Sequence, residues 1–362
     1  MPKKGNEAAG KGLSEQLLRW DREKNRRQMP WKGEKDPYKI WLSEIILQQT
    51  RVEQGLNYYN EFVRNFPDIK KLANASEEKI FKLWEGLGYY SRCRNLIATA
   101  RFIALERNGV FPKTYEEIVS LKGVGPYTAA AISSFAFNLP HAVVDGNVFR
   151  VLSRIFGIDI PIDSTEGKKY FAKLANELID KKRAGVYNQA IMDFGAMICK
   201  PVPQCDQCVF NKSCYALLNK KINELPVKEK KISIKKRWFY YLLIEHKNQL
   251  AIRQRTAKDI WQQLYEFPMI ENTQDIDQDR ILAKAEKQNW FIPGKYEVVT
   301  LSPVYKQQLS HQLIAGRFIH IRVKHKPNQA DWQWVNETGL VKFAFPRVIN
   351  QFLEKAREQS LF

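Results

Sequence analysis

A chain of 362 residues with 44% hydrophobic content exceeds what one hydrophobic core usually covers, so two globular domains are expected. Its 58 Lys and Arg against 39 Asp and Glu give a formal charge of +19, which attracts polyanions at long range and favours nucleic acid over an anionic membrane surface as partner. No apolar run approaches a bilayer span and MPKKGNEAAGKG lacks the apolar segment of a signal peptide, so a cytoplasmic protein is expected, its five cysteines reduced thiols or metal ligands instead of disulfides.

Residues 1–12 read as a disordered basic tail. From Leu13 to about Leu218 the apolar spacing is mostly helical, broken by short Gly, Pro and Asn interruptions, which predicts an all-α domain over 13–219. Asp36 and Pro37 supply a cap and a first-turn proline for a helix on which Tyr38, Trp41, Leu42, Ile45 and Ile46 form the core stripe. Glu44 and Gln48 fall together on its shoulder. A carboxyl at the edge of an apolar stripe is partly desolvated, which favours its neutral form and suits it to donate a proton; the plain alternative is a surface glutamate.

The stretch LKGVGPYTAAAISSFAFNLPHAVVDGNVFRV, residues 121–151, holds a glycine hairpin. Gly123 and Gly125 can take positive backbone angles that a side chain would resist, and Pro126 pre-sets the helical turn that follows, so that unpaired N–H groups face outward as a cradle for a DNA phosphate. Twenty residues past Gly125, Asp145 opens the next helix. Capping explains Asp145 by itself. In company with Glu44 it has a second reading, because cleaving a glycosidic bond calls for an acid at the leaving group and a carboxylate beside a cationic sugar.

Cys199, Cys205, Cys208 and Cys214 give C-x5-C-x2-C-x5-C directly after a predicted helix. Four thiolates so close in sequence signal a metal site, and ligand type alone fits zinc or an iron–sulfur cluster. Cys93 is left over as a small buried residue. Residues 220–237 carry eight Lys or Arg against two Glu and read as a solvated basic linker. Beyond it, RWFYYLLIEHKNQLAIRQR predicts two strands around a polar turn, GRFIHIRVKHK another strand and FPRVINQFLEKAREQ a closing helix, an α+β domain over 238–362.

Taken together, PYKIWLSEIILQQT, GLGYYSRCRNL, LKGVGPYTAA, VVDGNVFRVLSR, NQAIMDFGAMIC and the cysteine loop closely resemble the bacterial adenine DNA glycosylases of the helix-hairpin-helix repair superfamily. The resemblance implies a six-helix barrel domain packed on a helical subdomain that bears one [4Fe-4S] cluster on the four cysteines, and removal of adenine mispaired with 8-oxoguanine or guanine in duplex DNA. Carried over by position, Glu44 protonates the adenine at N7 and Asp145 stabilises or transiently captures the sugar cation, with Tyr127 and Asn147 orienting them. Arg27, Trp31 and Gln189 are assigned to the extruded-adenine pocket. Gln48, Thr50, Leu87 and Tyr89 fill the gap and contact the opposing 8-oxoguanine, an aromatic wedge being suited to an unstacked base.

A related subgroup resembling endonuclease III has a lysine nucleophile just after the hairpin. Here that position is Tyr127, which implies base hydrolysis without programmed strand cleavage. One departure from the family is the first cysteine gap, five residues where six are common. The C-terminal region resembles the family's Nudix-like lesion-recognition domain: Leu309, Ser310 and His311 match its Phe-Ser-His loop, with Leu309 in place of the aromatic, while no glutamate-rich helix capable of holding magnesium follows TAKDIWQQLYEFP. A monomer on one lesion is expected. Two rivals predict different outcomes, a bifunctional glycosylase and lyase, and a non-catalytic DNA-damage binder with structural zinc.

Overall fold

Asp36, Asp68, Ser76, Thr114, Asp145 and Ser164 each accept a backbone N–H from the first turn of the helix that follows, the bond that replaces a missing intrahelical partner and fixes where a helix starts. The computed structural model describes residues 12–229 and 233–358; apart from Gly12, the basic tail expected at residues 1–12 lies outside them. In chain order the helices are α1 Leu13–Lys24, α2 Pro37–Leu47, α3 Val52–Asn65, α4 Ile69–Ala73, α5 Glu77–Trp84, α6 Tyr90–Glu106, α7 Tyr115–Val119, α8 Pro126–Phe137, α9 Gly146–Phe156, α10 Thr165–Leu178, α11 Ala184–Met197 and α12 Tyr215–Leu218. Residues 12–74 and 95–229 make up one unit; Ala75–Arg94 group with residues 233–358 in the other. A single cut in the basic segment therefore does not describe the packing, because α5 and the GLGYY loop belong with the C-terminal residues.

The first unit is helical. Leu17 and Trp20 of α1, Val151, Leu152 and Ile155 of α9, Phe171 of α10 and Phe194 of α11 share one core, with Trp20 meeting Phe194 edge-on at 5.0 Å. The buried alanines 129–131 keep α8 thin, and α8 packs directly on α2 and α11. Gly195 performs a similar service on α11, since a Cβ there would lie 2.7 Å from Cβ of Asn147 on α9.

The second unit carries a sheet of strands β1 Lys235–His246, β2 Gln249–Gln254, β3 Tyr265–Glu266, β4 Met269–Asn272, β5 Tyr296–Leu301, β6 Tyr305–Gln308, β7 Gln312–Val323 and β8 Trp332–Val335, with helices α13 Gln278–Lys287 and α14 Arg347–Glu358. Central β1 runs parallel to β7 and antiparallel to β2 and β4. It is buried on both faces, as a strand covered from two sides must be. Trp238, Tyr240, Leu242 and Ile244 meet Ile281 and Ala285 of α13, while on the opposite face Phe239 and Tyr241 join Trp261 and Phe318, and Phe318 stacks on Phe352 of α14 at 4.0 Å. The expected hairpin turn is Lys247-Asn248, both at positive φ, the signature of a two-residue turn that matches strand twist.

Most of the described residues of the solvated linker expected over 220–237 are exposed, but a few of them anchor the chain. Leu225 is buried, the carbonyls of Ile222 and Leu225 accept from the Arg154 guanidinium, and Ile162 donates to Val227. Lys235 to Arg237 already belong to β1. Apolar residues hidden in a basic run, and an arginine seventy residues upstream, account for the difference.

Candidate active site

Helix α2 is buried on nearly every side, and Glu44 is only 8% exposed within that wall. Burial pushes its carboxyl up to about 7; nearby Asp145 adds to the rise, and a hydrogen bond from the Tyr127 hydroxyl opposes it. A carboxyl out of water with one donor keeps its proton near neutrality. Gln48 is the C-cap of α2, and its Nε2 donates to Thr128 Oγ1 at 3.2 Å, beside Tyr127, while the Thr50 hydroxyl turns back to the Gln48 carbonyl at 3.3 Å.

Tyr127 reaches Glu44 because it sits in the first turn of α8, straight after the glycine hairpin. Gly123 has φ +80°, and a Cβ there would collide with Asn95 at 2.7 Å, so both conformation and space demand glycine. Gly125, free to take a positive φ as well, is extended at φ −91° and serves as N-cap without a side chain. Nothing lies within 4 Å of where its Cβ would be, and residues 122, 123, 125 and 126 are exposed. The hairpin before α8 thus presents an unobstructed surface at the start of a helix, which suits a phosphate.

Asp145 is both a cap and a neighbour of Glu44. Its Oδ1 accepts from the Val148 N–H at 2.8 Å and Oδ2 from Asn147 Nδ2 at 2.9 Å. Burial raises its carboxyl above the ordinary aspartate range, while those donors and Arg150 pull it down. With more donors and a helix start beside it, Asp145 is better equipped than Glu44 to carry a negative charge. Arg150, which sequence reasoning did not single out, holds Asn147 in place: its guanidinium donates to Asn147 Oδ1 at 2.8 Å, to the Gly195 carbonyl at 2.8 Å and to the Cys199 carbonyl at 2.7 Å. Its spacing of one helical turn from Asn147 was the available signal.

Arg27 and Gln189 meet at an acid that also went unassigned. Asp193 of α11 is fully buried; Arg27 at 2.9 Å and Gln189 at 3.1 Å donate to Oδ1, Lys32 at 2.9 Å and Asn25 at 2.8 Å to Oδ2. Two cations and two amides compensate one carboxylate, which allows it to be buried charged. An acid amid the apolar face of AIMDFGAM was the clue. Trp31, next in the chain to Lys32, meets Tyr59 edge-on at 5.2 Å.

Cys199 follows the end of α11, Cys205 opens a short 3-10 turn to Gln207, Cys208 ends it and Cys214 caps α12. All four line one cavity with Arg154 and Phe194. The buried Arg154 guanidinium ties the loop down through the carbonyls of Lys200, Pro201, Ile222 and Leu225 at 2.6–3.0 Å and approaches Cys199 Sγ at 3.7 Å. Burial raises the Cys199, Cys208 and Cys214 thiols, Cys208 to about 12, so metal binding there would release protons. Among the described residues no group of three or more His, Cys, Asp or Glu converges as it would on a single metal ion. Cys93 is buried.

Within the second unit, Leu87 is buried and Tyr89 is 43% exposed. The Tyr89 hydroxyl hydrogen-bonds Ser310, which with Leu309 and His311 forms the three-residue turn between β6 and β7. Two motifs 221 positions apart are thereby one surface.

Comparison with known proteins places these features. The family described as HhH-GPD superfamily base excision DNA repair protein matches residues 42–180, and a NUDIX domain matches residues 239–355. The solved structure of a thermostable thymine-DNA glycosylase is similar with a TM-score of 0.55 and 28% identity, covering 59% of this chain and 99% of that one. The human adenine DNA glycosylase is 43% identical over 211 residues, 55% of this chain and 38% of that one. The adenine DNA glycosylase of Buchnera aphidicola subsp. Baizongia pistaciae is 38% identical over 301 residues, 82% of each chain, and that of Buchnera aphidicola subsp. Acyrthosiphon pisum is 34% identical over 354 residues, 96% of this chain and 98% of that one. With a helical glycosylase unit, a Nudix-like sheet unit and relatives matched along nearly the whole length, the chain belongs to the adenine DNA glycosylases, DNA N-glycosylases of base excision repair.

Proposed function

We propose that this enzyme excises adenine paired with 8-oxoguanine, or with guanine, by hydrolysing the N-glycosidic bond and leaving an abasic site. The observation that carries the proposal is the meeting of Glu44, Tyr127 and Asp145, from three separate elements. Protonated Glu44 delivers its proton to N7 of the everted adenine. The C1′–N9 bond then breaks, with its electron pair leaving on the purine, and Asp145, held ionised by Val148, Asn147 and the helix start, stabilises the sugar cation. Water adds at C1′ and gives up a proton, which returns Glu44 to its acid form. Arg27, Gln189 and Trp31 are assigned to the adenine pocket, with Asp193 fixing the first two. Gly123 and Gly125 are assigned to the DNA backbone.

Preference for 8-oxoguanine is assigned to the second unit, where Tyr89 and Ser310 share a hydrogen bond and Leu87, Leu309 and His311 flank them; Gln48 and Thr50 are assigned to the space the adenine vacates. Hydrolysis without strand cleavage follows from Tyr127, whose hydroxyl is engaged by Glu44 and which offers no amine for a Schiff base. The four cysteines suit a [4Fe-4S] cluster, since they line a common cavity and four thiolates are the ligand set such a cluster takes. When bound, the cluster would supply a structural clamp on the loop after α11. A monomer acting on duplex DNA in the cytoplasm completes the reading; among the described residues no helix is long and apolar enough to cross a membrane.

The test is incubation of a duplex carrying adenine opposite 8-oxoguanine, followed or not by alkali. Strand breaks only after alkali support hydrolysis; breaks without alkali, with a complex trapped by borohydride, indicate a lyase. Tight binding with no adenine released leaves a damage-binding protein. Iron and sulfide analysis with a visible absorption band tests the cluster, and zinc in their place overturns it.

A further inference from the structure

The GLGYY loop departs from ordinary backbone at three positions, Gly86 at φ +87°, Gly88 at +79° and Tyr89 at +49°. A tyrosine in the left-handed region persists only where its surroundings hold it. Local support comes from Trp84, whose Nε1 donates to the Gly88 carbonyl at 2.9 Å, and from Arg92, whose guanidinium lies over both the Trp84 and the Tyr89 rings. Remote support comes through Glu85, the residue that ends α5 and begins the loop. Its Oε1 accepts from the Phe345 N–H at 2.7 Å and from Asn350 Nδ2 at 2.9 Å, and Oε2 pairs with Lys82, which in turn donates to the Phe343 carbonyl at 3.0 Å. Phe343 to Phe345 lead into α14, and α14 packs on β6, the strand that runs into the turn holding Ser310. A half-buried carboxylate that takes two donors from a segment 260 positions or more away, besides the neighbouring Lys82, is unusual for a loop foot.

We propose that Glu85 is a specificity-determining positioning residue: through Phe345, Asn350 and Lys82 it fixes the distance between Tyr89 and Ser310, and so the preference for 8-oxoguanine over guanine opposite adenine. The inference rests on the 8-oxoguanine reading above. Excision itself uses Glu44 and Asp145, which Glu85 does not touch. Loss of the carboxylate leaves the Phe345 N–H without its acceptor, and a charge-assisted bond of this kind is worth about tenfold in an equilibrium.

The experiment measures single-turnover cleavage of adenine opposite 8-oxoguanine and opposite guanine with the full-length enzyme and its Glu85→Gln and Glu85→Ala variants. The expected result is a guanine-pair rate within about twofold of wild type, with the ratio between the two substrates falling by about tenfold in Glu85→Ala and by less in Glu85→Gln, which keeps an acceptor for Phe345. Should the alanine variant fail to fold, the glutamine variant carries the same ordering against wild type. A merely structural role would lower both rates alike and leave the ratio untouched, which overturns the assignment. A wild-type enzyme without preference between the two substrates overturns the 8-oxoguanine reading itself, whereas wild-type preference retained in both variants overturns Glu85 alone.

Discussion

Glu266 in the sheet unit and Glu44 in the helical unit are both removed from water, and the chain treats them in opposite ways. Glu266, 2% exposed, lies between Arg255 and Arg253, and Arg237 beside it grips Asp259 and Glu271 through bonds of 2.7–3.0 Å. His320 and Arg322 likewise face Glu245. Glu44 has a phenol for a donor and another carboxyl for a neighbour. Full compensation makes a buried charge architectural; incomplete compensation leaves a proton that can move. Asp193 shows that the distinction is between roles and not between units, because in the helical unit it too is matched by two cations.

Breaking each side of that contrast has different expected consequences. The largest is Glu44→Gln, which removes the acid and is expected to lower single-turnover excision by about 10³-fold or more, with duplex affinity retained in a gel-shift titration; unchanged excision would take Glu44 out of the mechanism. Next is Glu266→Gln, which removes the charge facing Arg253 and Arg255, leaving Arg255 only Asp259 as an acidic partner, and is expected to cost about 3 kcal/mol in urea unfolding of the full chain, while the guanine-pair excision rate per folded molecule stays near wild type. A loss below about 0.5 kcal/mol would mean that the ion cage is ornamental.

A subtler expectation concerns stability against pH. The folded Glu44 carboxyl titrates at about 7 against an ordinary 4.5, so the folded state binds the proton more tightly and wild-type stability falls as pH rises between those values. Glu44→Gln has no proton to lose. Its stability relative to wild type therefore increases from pH 4.5 to 7 and levels off above, by up to about 3 kcal/mol; a difference that stays constant with pH contradicts the burial argument. Smallest of all is Tyr127→Phe. Removing the hydroxyl that favours ionised Glu44 moves the alkaline limb of the excision profile to higher pH, and a limb that moves down instead would reverse the assigned donor.

Much of this was readable in the residues, and the failures are instructive. The α2 stripe placed Glu44 because helical periodicity is a local property, and the proline after Gly125 located α8 for the same reason. Gly125 shows that glycine permits positive φ without requiring it; what the site needs there is room. The basic run from 220 to 229 concealed Leu225, whose partner Arg154 lies far upstream, and Glu85 drew no reading because the Phe345 N–H it caps is 260 positions away. Long-range hydrogen bonds leave no periodicity to detect. Asp193 and Arg150 sat inside quoted motifs yet had no assigned work, since neither had a visible partner until the helices were packed.

The central claim is that a neutral Glu44 supplies the proton on which excision depends. Its most direct measurement is the pH dependence of the single-turnover rate on a duplex with adenine opposite 8-oxoguanine. The account predicts a limb centred near pH 7, above which the rate falls by about tenfold per pH unit, and predicts that Glu44→Gln shows no such limb in its residual activity. A wild-type rate that holds level from pH 6 to 9, or a Gln variant that keeps the limb, contradicts it.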